Sequence, residues 1–286
     1  MNVQMHRNSV YRLLLPVIAL MLLLPLCTLR AQGAEEGWKS LVMQALYAAG
    51  ENQYAKSEQL FLKAVHEAER FGARDARVGT TLNSLGLVYR AEKKYLDAES
   101  AYRRALNILE TAYGMESVDV ANVNYNLGGV FMDEGKHAAA IPYLVKTLSS
   151  YQALLGATSI KTASVYCMLG DSYLNIKDYS NAIVNLKKCG EIREADGGIQ
   201  NPELAEALRS IAVTYGRQGK FSQAEANFKL AEKIVENTSG LASAQLAGTM
   251  EDHIALLRQI GGREKDVERL VKLDESIKRL LAKKQK

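Results

Sequence analysis

The residue types that could break or form bonds are few in this chain and stand far apart. Of its four histidines, His6 lies in the first segment, while His66, His137 and His253 follow none of the spacings by which a chain gathers a zinc ion. Asp133 and Asp171 have no acid–base partner placed to share a proton with them. No glycine-rich phosphate loop, strained nucleophile turn or HExxH pair occurs. The sequence therefore gives no reason to expect a metal or a cofactor, and it reads as a protein without catalytic activity. Three cysteines remain, Cys27, Cys167 and Cys189. Too few for a disulfide scaffold, they must be read from the elements that hold them.

Those elements repeat. Leu85, Gly86, Tyr89, Tyr95, Ala98, Tyr102 and Ala105 fall into register with Leu127, Gly128, Phe131, His137, Ala140, Leu144 and Thr147 when the chain is shifted by 42 residues. A second shift gives Leu169, Gly170, Tyr173, Tyr179, Ala182, Leu186 and Cys189, and a third gives Ile211, Ala212, Tyr215, Phe221, Ala224, Phe228 and Ala231. Within each copy the apolar and small residues recur at helical spacing and define two amphipathic helices. One copy predicts a helix A over about 75–91 and a helix B over about 94–113, joined by the polar turn Glu92-Lys93-Lys94. Small residues such as Gly86 and Ala98 let the two backbones approach, and the rings at Tyr89 and Tyr95 fill the hairpin tip. His137 stands in a ring slot and reads as a packing residue. Asn201-Pro202-Glu203 is a helix start with its capping side chain, and Ser117 and Asp75 mark the same point in earlier copies. Gly135 and Gly219 punctuate two turns, and Pro142 predicts a mild kink in its helix.

This period overrides the two-domain expectation that a length of 286 residues raises. Units are expected at about 36–74, 75–116, 117–158, 159–200 and 201–241. A worn capping unit over 242–286 completes one elongated domain. The last helix, with Val267, Leu270, Val271, Ile277, Leu280 and Leu281 on one side, reads as that cap, or alternatively as an amphipathic arm for another protein. Cys189 fills a slot held elsewhere by Ala105, Thr147 and Ala231, which favours two small buried thiols. Cys167, on the partner helix of the same hairpin, keeps a bridge open as the alternative.

Residues 1–34 are a different object. Arg7 and Arg12 precede an apolar run from Leu13 to Leu26, and the small residues Ala31, Gly33 and Ala34 follow. This is the pattern of a secretory signal, with cleavage expected near Gly33 or Ala34. The run is short for a membrane anchor, since spanning takes roughly 20 apolar residues, and Pro16 and Pro25 bracket it. Cys27 leaves a lipid-tethered envelope protein as an alternative, although Leu26 is not the small residue that a lipidation signal favours before its cysteine. The expected location is thus exported, periplasmic or secreted. The leader holds three arginines and no acid, so the +4 net charge falls to +1 without it. Such a balance gives no footprint for nucleic acid.

The pattern Leu-Gly, Tyr, an aromatic six residues on, then Ala, aromatic or Leu, Ala resembles the tetratricopeptide repeat. The 42-residue unit is similar to the long repeats of kinesin light chains. The resemblance implies an all-α, right-handed superhelical solenoid of antiparallel helix pairs that binds a protein or peptide partner in its concave groove. It implies groove positions at Asn83 and Arg90, at Asn122, Tyr125 and Asp133, at Ser164, Cys167, Asp171 and Asn175, and at Arg209, Val213 and Arg217. Asparagine and arginine there suit a peptide backbone, and Tyr125 offers an aromatic anchor. Members that clamp an acidic C-terminal tail carry later cations where this chain has Ser164 and Met168, so a tail of that kind is not the expected ligand.

Overall fold

The computed structural model describes residues 33–198, 201–241 and 243–284. The expected leader lies outside them, except for Gly33 and Ala34, which open the first helix. Among the described residues there is no strand, and no helix is long and apolar enough to cross a membrane. The chain forms two compact units, one ending at Gly114 and the other starting at Met115, a division that falls between two sequence repeats.

The first unit holds α1 (33–50), α2 (Tyr54–Glu69), α3 (Ala76–Ala91) and α4 (Tyr95–Tyr113). The second holds α5 (Val118–Asp133), α6 (His137–Leu155), α7 (Ile160–Asn175), α8 (Tyr179–Gly197), α9 (Pro202–Arg217), α10 (Phe221–Ser239), α11 (Ala244–Ile260) and α12 (Glu264–Lys284). From α3 to α10 each helix A has 16 residues and each helix B has 19.

Local chemistry sets these boundaries. Asp75, Ser117, Ser159 and Asn201 stand one period apart, and each accepts a hydrogen bond from a backbone N–H of the first turn, at 2.9, 3.2, 3.1 and 2.9 Å. They satisfy donors that a helix start otherwise leaves orphaned. Gly114, Gly156, Gly198 and Gly240 end the four B helices at the same register, all with positive φ. The A-to-B turns need a left-handed residue too: Gly135, Gly219 and Gly261 supply it, and so do Lys93 at φ 60° and Lys177 at φ 66°. A lysine in that conformation costs roughly 1 kcal/mol relative to glycine. Pro142 lies within an unbroken α6, with its own side chain and that of Ala138, the residue whose carbonyl loses a partner, both exposed.

Three hairpins, α3–α4, α5–α6 and α7–α8, close on a glycine-for-ring or glycine-for-leucine crossing. A Cβ on Gly86 would stand 2.6 Å from the Tyr102 ring, on Gly128 2.7 Å from Leu144, and on Gly170 2.5 Å from Leu186. Tyr102, Leu144, Leu186 and Phe228, one per hairpin, are at most 1% exposed. Burying each stabilises the fold by about 1.5–3 kcal/mol. The last helix docks through Leu270 and Ile277 into a core that includes Ile234 and Val235 of α10 and Leu246 and Met250 of α11.

The cysteines correct the expectation of two thiols. Cys167 of α7 and Cys189 of α8 form a disulfide, their Cα atoms 5.3 Å apart. Gly170, one turn from Cys167, lets the two helix backbones come close enough for the bridge.

Candidate functional site

In the second unit the A helices α5, α7, α9 and α11 follow one another along an open groove of about 440 Å³. Six of the expected groove positions line it: Asp133, Asp171, Asn175, Arg209, Val213 and Arg217. They come from two slots of the repeat, one turn apart, together with the Arg209 slot at their N-terminal side. Met132, Leu174 and Val213 give the groove an apolar lining between the charges.

Its electrostatics are uneven. The Arg209 guanidinium donates from Nε to Asp252 Oδ2 at 2.7 Å and from Nη1 to Glu206 Oε1 at 2.8 Å. Arg217 is exposed, and no described residue bonds to it or pairs with its charge. Asp171 is half-buried in the wall, where Ser210 also lines the groove. Burial pushes its carboxyl up to about 6, with the Ser210 hydroxyl and Arg209 opposing the rise and Glu206 adding repulsion. Asn175 donates from Nδ2 to the Asp171 backbone carbonyl at 2.8 Å, one turn back along its own helix. Asp133 is exposed and engaged by a neighbour. His137, expected as packing, is half-buried at the groove, and burial pulls its imidazole below the usual histidine value.

Asn122 and Tyr125, half-buried, contact the neighbouring helix B. Asn122 accepts a hydrogen bond from Tyr151 Oη at 2.5 Å, and the Tyr125 ring lies against the Tyr151 ring, centroids 6.5 Å apart. Burial, then Tyr125, pushes the Tyr151 phenol up to about 12. One period later, Arg193 donates to Ser164 Oγ at 2.7 Å. Positions 122 and 164 therefore tie helix A to helix B. Tyr151 and Arg193 share a slot that holds Leu109 and Val235 in other hairpins, so no repeated residue type announces this tie. In the first unit, Asn83 and Arg90 lie half-buried on α3, each already engaged.

Sequence reasoning missed Glu206, Ser210 and Asp252. The signal for two of them is in the register: Ser210 and Asp252 stand one period apart, and Asp252 accepts from Arg209. Among the described residues, no group of histidine, cysteine, aspartate and glutamate is placed to hold a metal ion.

Helix hairpins on a fixed register, with one face of successive A helices left open, define a helical-repeat interaction protein. A model of the tetratricopeptide repeat family matches residues 41–111 and 119–195, more than half of the chain. The chain belongs to the tetratricopeptide repeat family. BtubC (BKLC) from P. vanneervenii is a similar solved structure, with TM-score 0.64 and 26% identity over 71% of this chain and 81% of that one. The repeats of a kinesin light chain from Podosopora anserina superpose with TM-score 0.62 at 15% identity, over 70% of this chain and 95% of that one. YrrB, described as a repeat protein with an unusual peptide-binding site, gives TM-score 0.50 at 16% identity over 78% of this chain and 98% of that one. No curated protein matches the sequence.

Proposed function

We propose that this chain is an exported interaction scaffold that holds an extended peptide segment of a partner protein in the groove of its second unit. The observation that carries the reading is that groove: polar and charged side chains of successive A helices converge on one open trough with apolar lining. Backbone groups of an extended segment find donors and acceptors there, and apolar side chains find Leu174 and Val213. Binding needs no turnover and no cofactor. YrrB, whose fold is similar, supports a peptide as the kind of ligand.

Export rests on the leader pattern at residues 1–34 and on the Cys167–Cys189 bridge, since structural disulfides persist in oxidising compartments and are rare in the cytosol. The test uses the full chain as bait in envelope extract. Arg217→Ala with Asp171→Ala should lose the captured partners while the circular dichroism spectrum stays unchanged. Partners retained by that variant would move the site off the groove. Fractionation of the native host should find the protein outside the cytosol, and a cytosolic pool alone would defeat the export part of the reading.

A further inference from the structure

The groove has a chemical preference written into it. Its acids, Asp133, Asp171, Glu206 and Asp252, outnumber its cations, Arg209 and Arg217, and Arg209 is already held by Asp252 and Glu206. Asp171 makes no ion pair: Arg209, whose charge reaches it, spends its hydrogen bonds on Asp252 and Glu206. A half-buried carboxylate whose neighbouring cation is already held by other acids is an unfavourable arrangement that an incoming cation relieves. The 42-residue register sets Gly129 and Val213 in the slot that Asp171 occupies on α7. The neighbour on α5 thus has no side chain to cover the carboxylate, while Val213 and Leu174 offer apolar surface to methylene groups.

We propose that this part of the groove receives a cationic side chain, lysine or arginine, of the bound peptide, with its charged head against the Asp171 carboxylate and its stem along Leu174 and Val213. The inference rests on the groove reading above and adds the class of ligand. A guanidinium can meet both carboxylate oxygens at once, so arginine is the better fit. A ligand acid is disfavoured by four carboxylates, and Arg217 at the far end of α9 is left to face an acidic or C-terminal group of the same peptide.

Acid should release the cation. Asp171 titrates near 6, so the ionised fraction falls about tenfold between pH 7 and pH 5. The other charged groups around it are Glu206, Arg209 and Arg217 on α9, Asp133 on α5, His137 on α6 and Asp252 on α11. His137, neutral at pH 7, gains positive charge on acidification and acts in the same direction.

The experiment measures fluorescence anisotropy of the full chain with three labelled nonapeptide pools. All positions are randomised over uncharged residues except the central one, which is arginine, norleucine or glutamate. The arginine pool should bind about tenfold more tightly than the norleucine pool at pH 7, and the glutamate pool more weakly than either. Asp171→Asn should bring the arginine pool level with the norleucine pool. The arginine advantage should shrink about tenfold by pH 5 in the wild type and in His137→Gln. Equal affinity for all pools, or an arginine advantage that survives Asp171→Asn, overturns this inference and leaves the groove reading standing. Failure of every pool to bind overturns both.

Discussion

Gly170→Ala sets a helix preference against a steric limit, and the structure says which wins. Alanine is worth about 1 kcal/mol over glycine inside a helix, so at an open site the change stabilises. At Gly170 the new methyl carbon would lie 2.5 Å from Leu186 Cγ, 2.7 Å from its Cδ2 and 3.2 Å from its backbone nitrogen. Carbon atoms rest at about 3.5–4.0 Å, so the overlap is about 1 Å. Leu186 is 1% exposed, and the Cys167–Cys189 bridge stops α7 and α8 from moving apart. Overpacking of this kind costs about 1–3 kcal/mol, and the backbone contact puts this site at the upper end. The net effect should be a loss of about 2 kcal/mol. Gly248 in α11 has nothing within 4 Å of its would-be Cβ, so Gly248→Ala should gain about 1 kcal/mol. Urea unfolding followed by far-ultraviolet circular dichroism reads the gap of about 3 kcal/mol between the two variants. Leu186→Ala should rescue part of the loss, giving a coupling of about 1 kcal/mol or more in the double-mutant cycle. If Gly170→Ala matches Gly248→Ala to within about 0.5 kcal/mol, the tight crossing is wrong and the packing argument with it.

Lys177→Gly should raise stability by about 1 kcal/mol, because the turn already holds that residue at φ 66°; a thermal scan showing a loss would contradict the turn geometry. Cys167→Ser should cost about 3 kcal/mol, the chain entropy that a bridge over a separation of 22 residues removes from the unfolded state. Intact-mass analysis of alkylated protein should find no free thiol at Cys167 or Cys189 without reductant. Asp171→Asn should stabilise the fold by about 1–2 kcal/mol at pH 7, discounted for the partial exposure of the group. Its carboxyl is raised to about 6 in the fold, so the ionised form carries a penalty that is full above pH 6 and fades as pH falls towards the unfolded value near 4. Unfolding curves of the two proteins should therefore converge by about pH 3.5, and a constant gap would refute the assignment.

The helical register was legible because it is written in residue size. Glycine at 86, 128 and 170, opposite Tyr102, Leu144 and Leu186, fixes where three hairpins cross, and the capping residues at 75, 117 and 201 fix where helices begin. The register alone places Asp171, Asn175, Arg209 and Arg217 along one line of A helices, and the structure has them lining one groove. That register did not show that Asn122 and Tyr125 contact helix B, because the partner there is a single tyrosine at 151 in a slot that is leucine or valine elsewhere. Lys93 and Lys177 concealed two left-handed turns behind an ordinary lysine. The disulfide depends on how close two backbones come, a distance that the identity of Cys189 does not carry.

The even spacing of helix starts and stops has a consequence for the history and engineering of this protein. Residues 159–200 begin on a capping serine and include the glycine that ends α8, and residues 117–158 and 201–241 carry the same joints. A crossover between any two of these joints deletes or duplicates a whole hairpin and leaves every splice with chemistry it already had. Such a gene can change the length of its binding surface by unequal recombination alone, one cassette at a time.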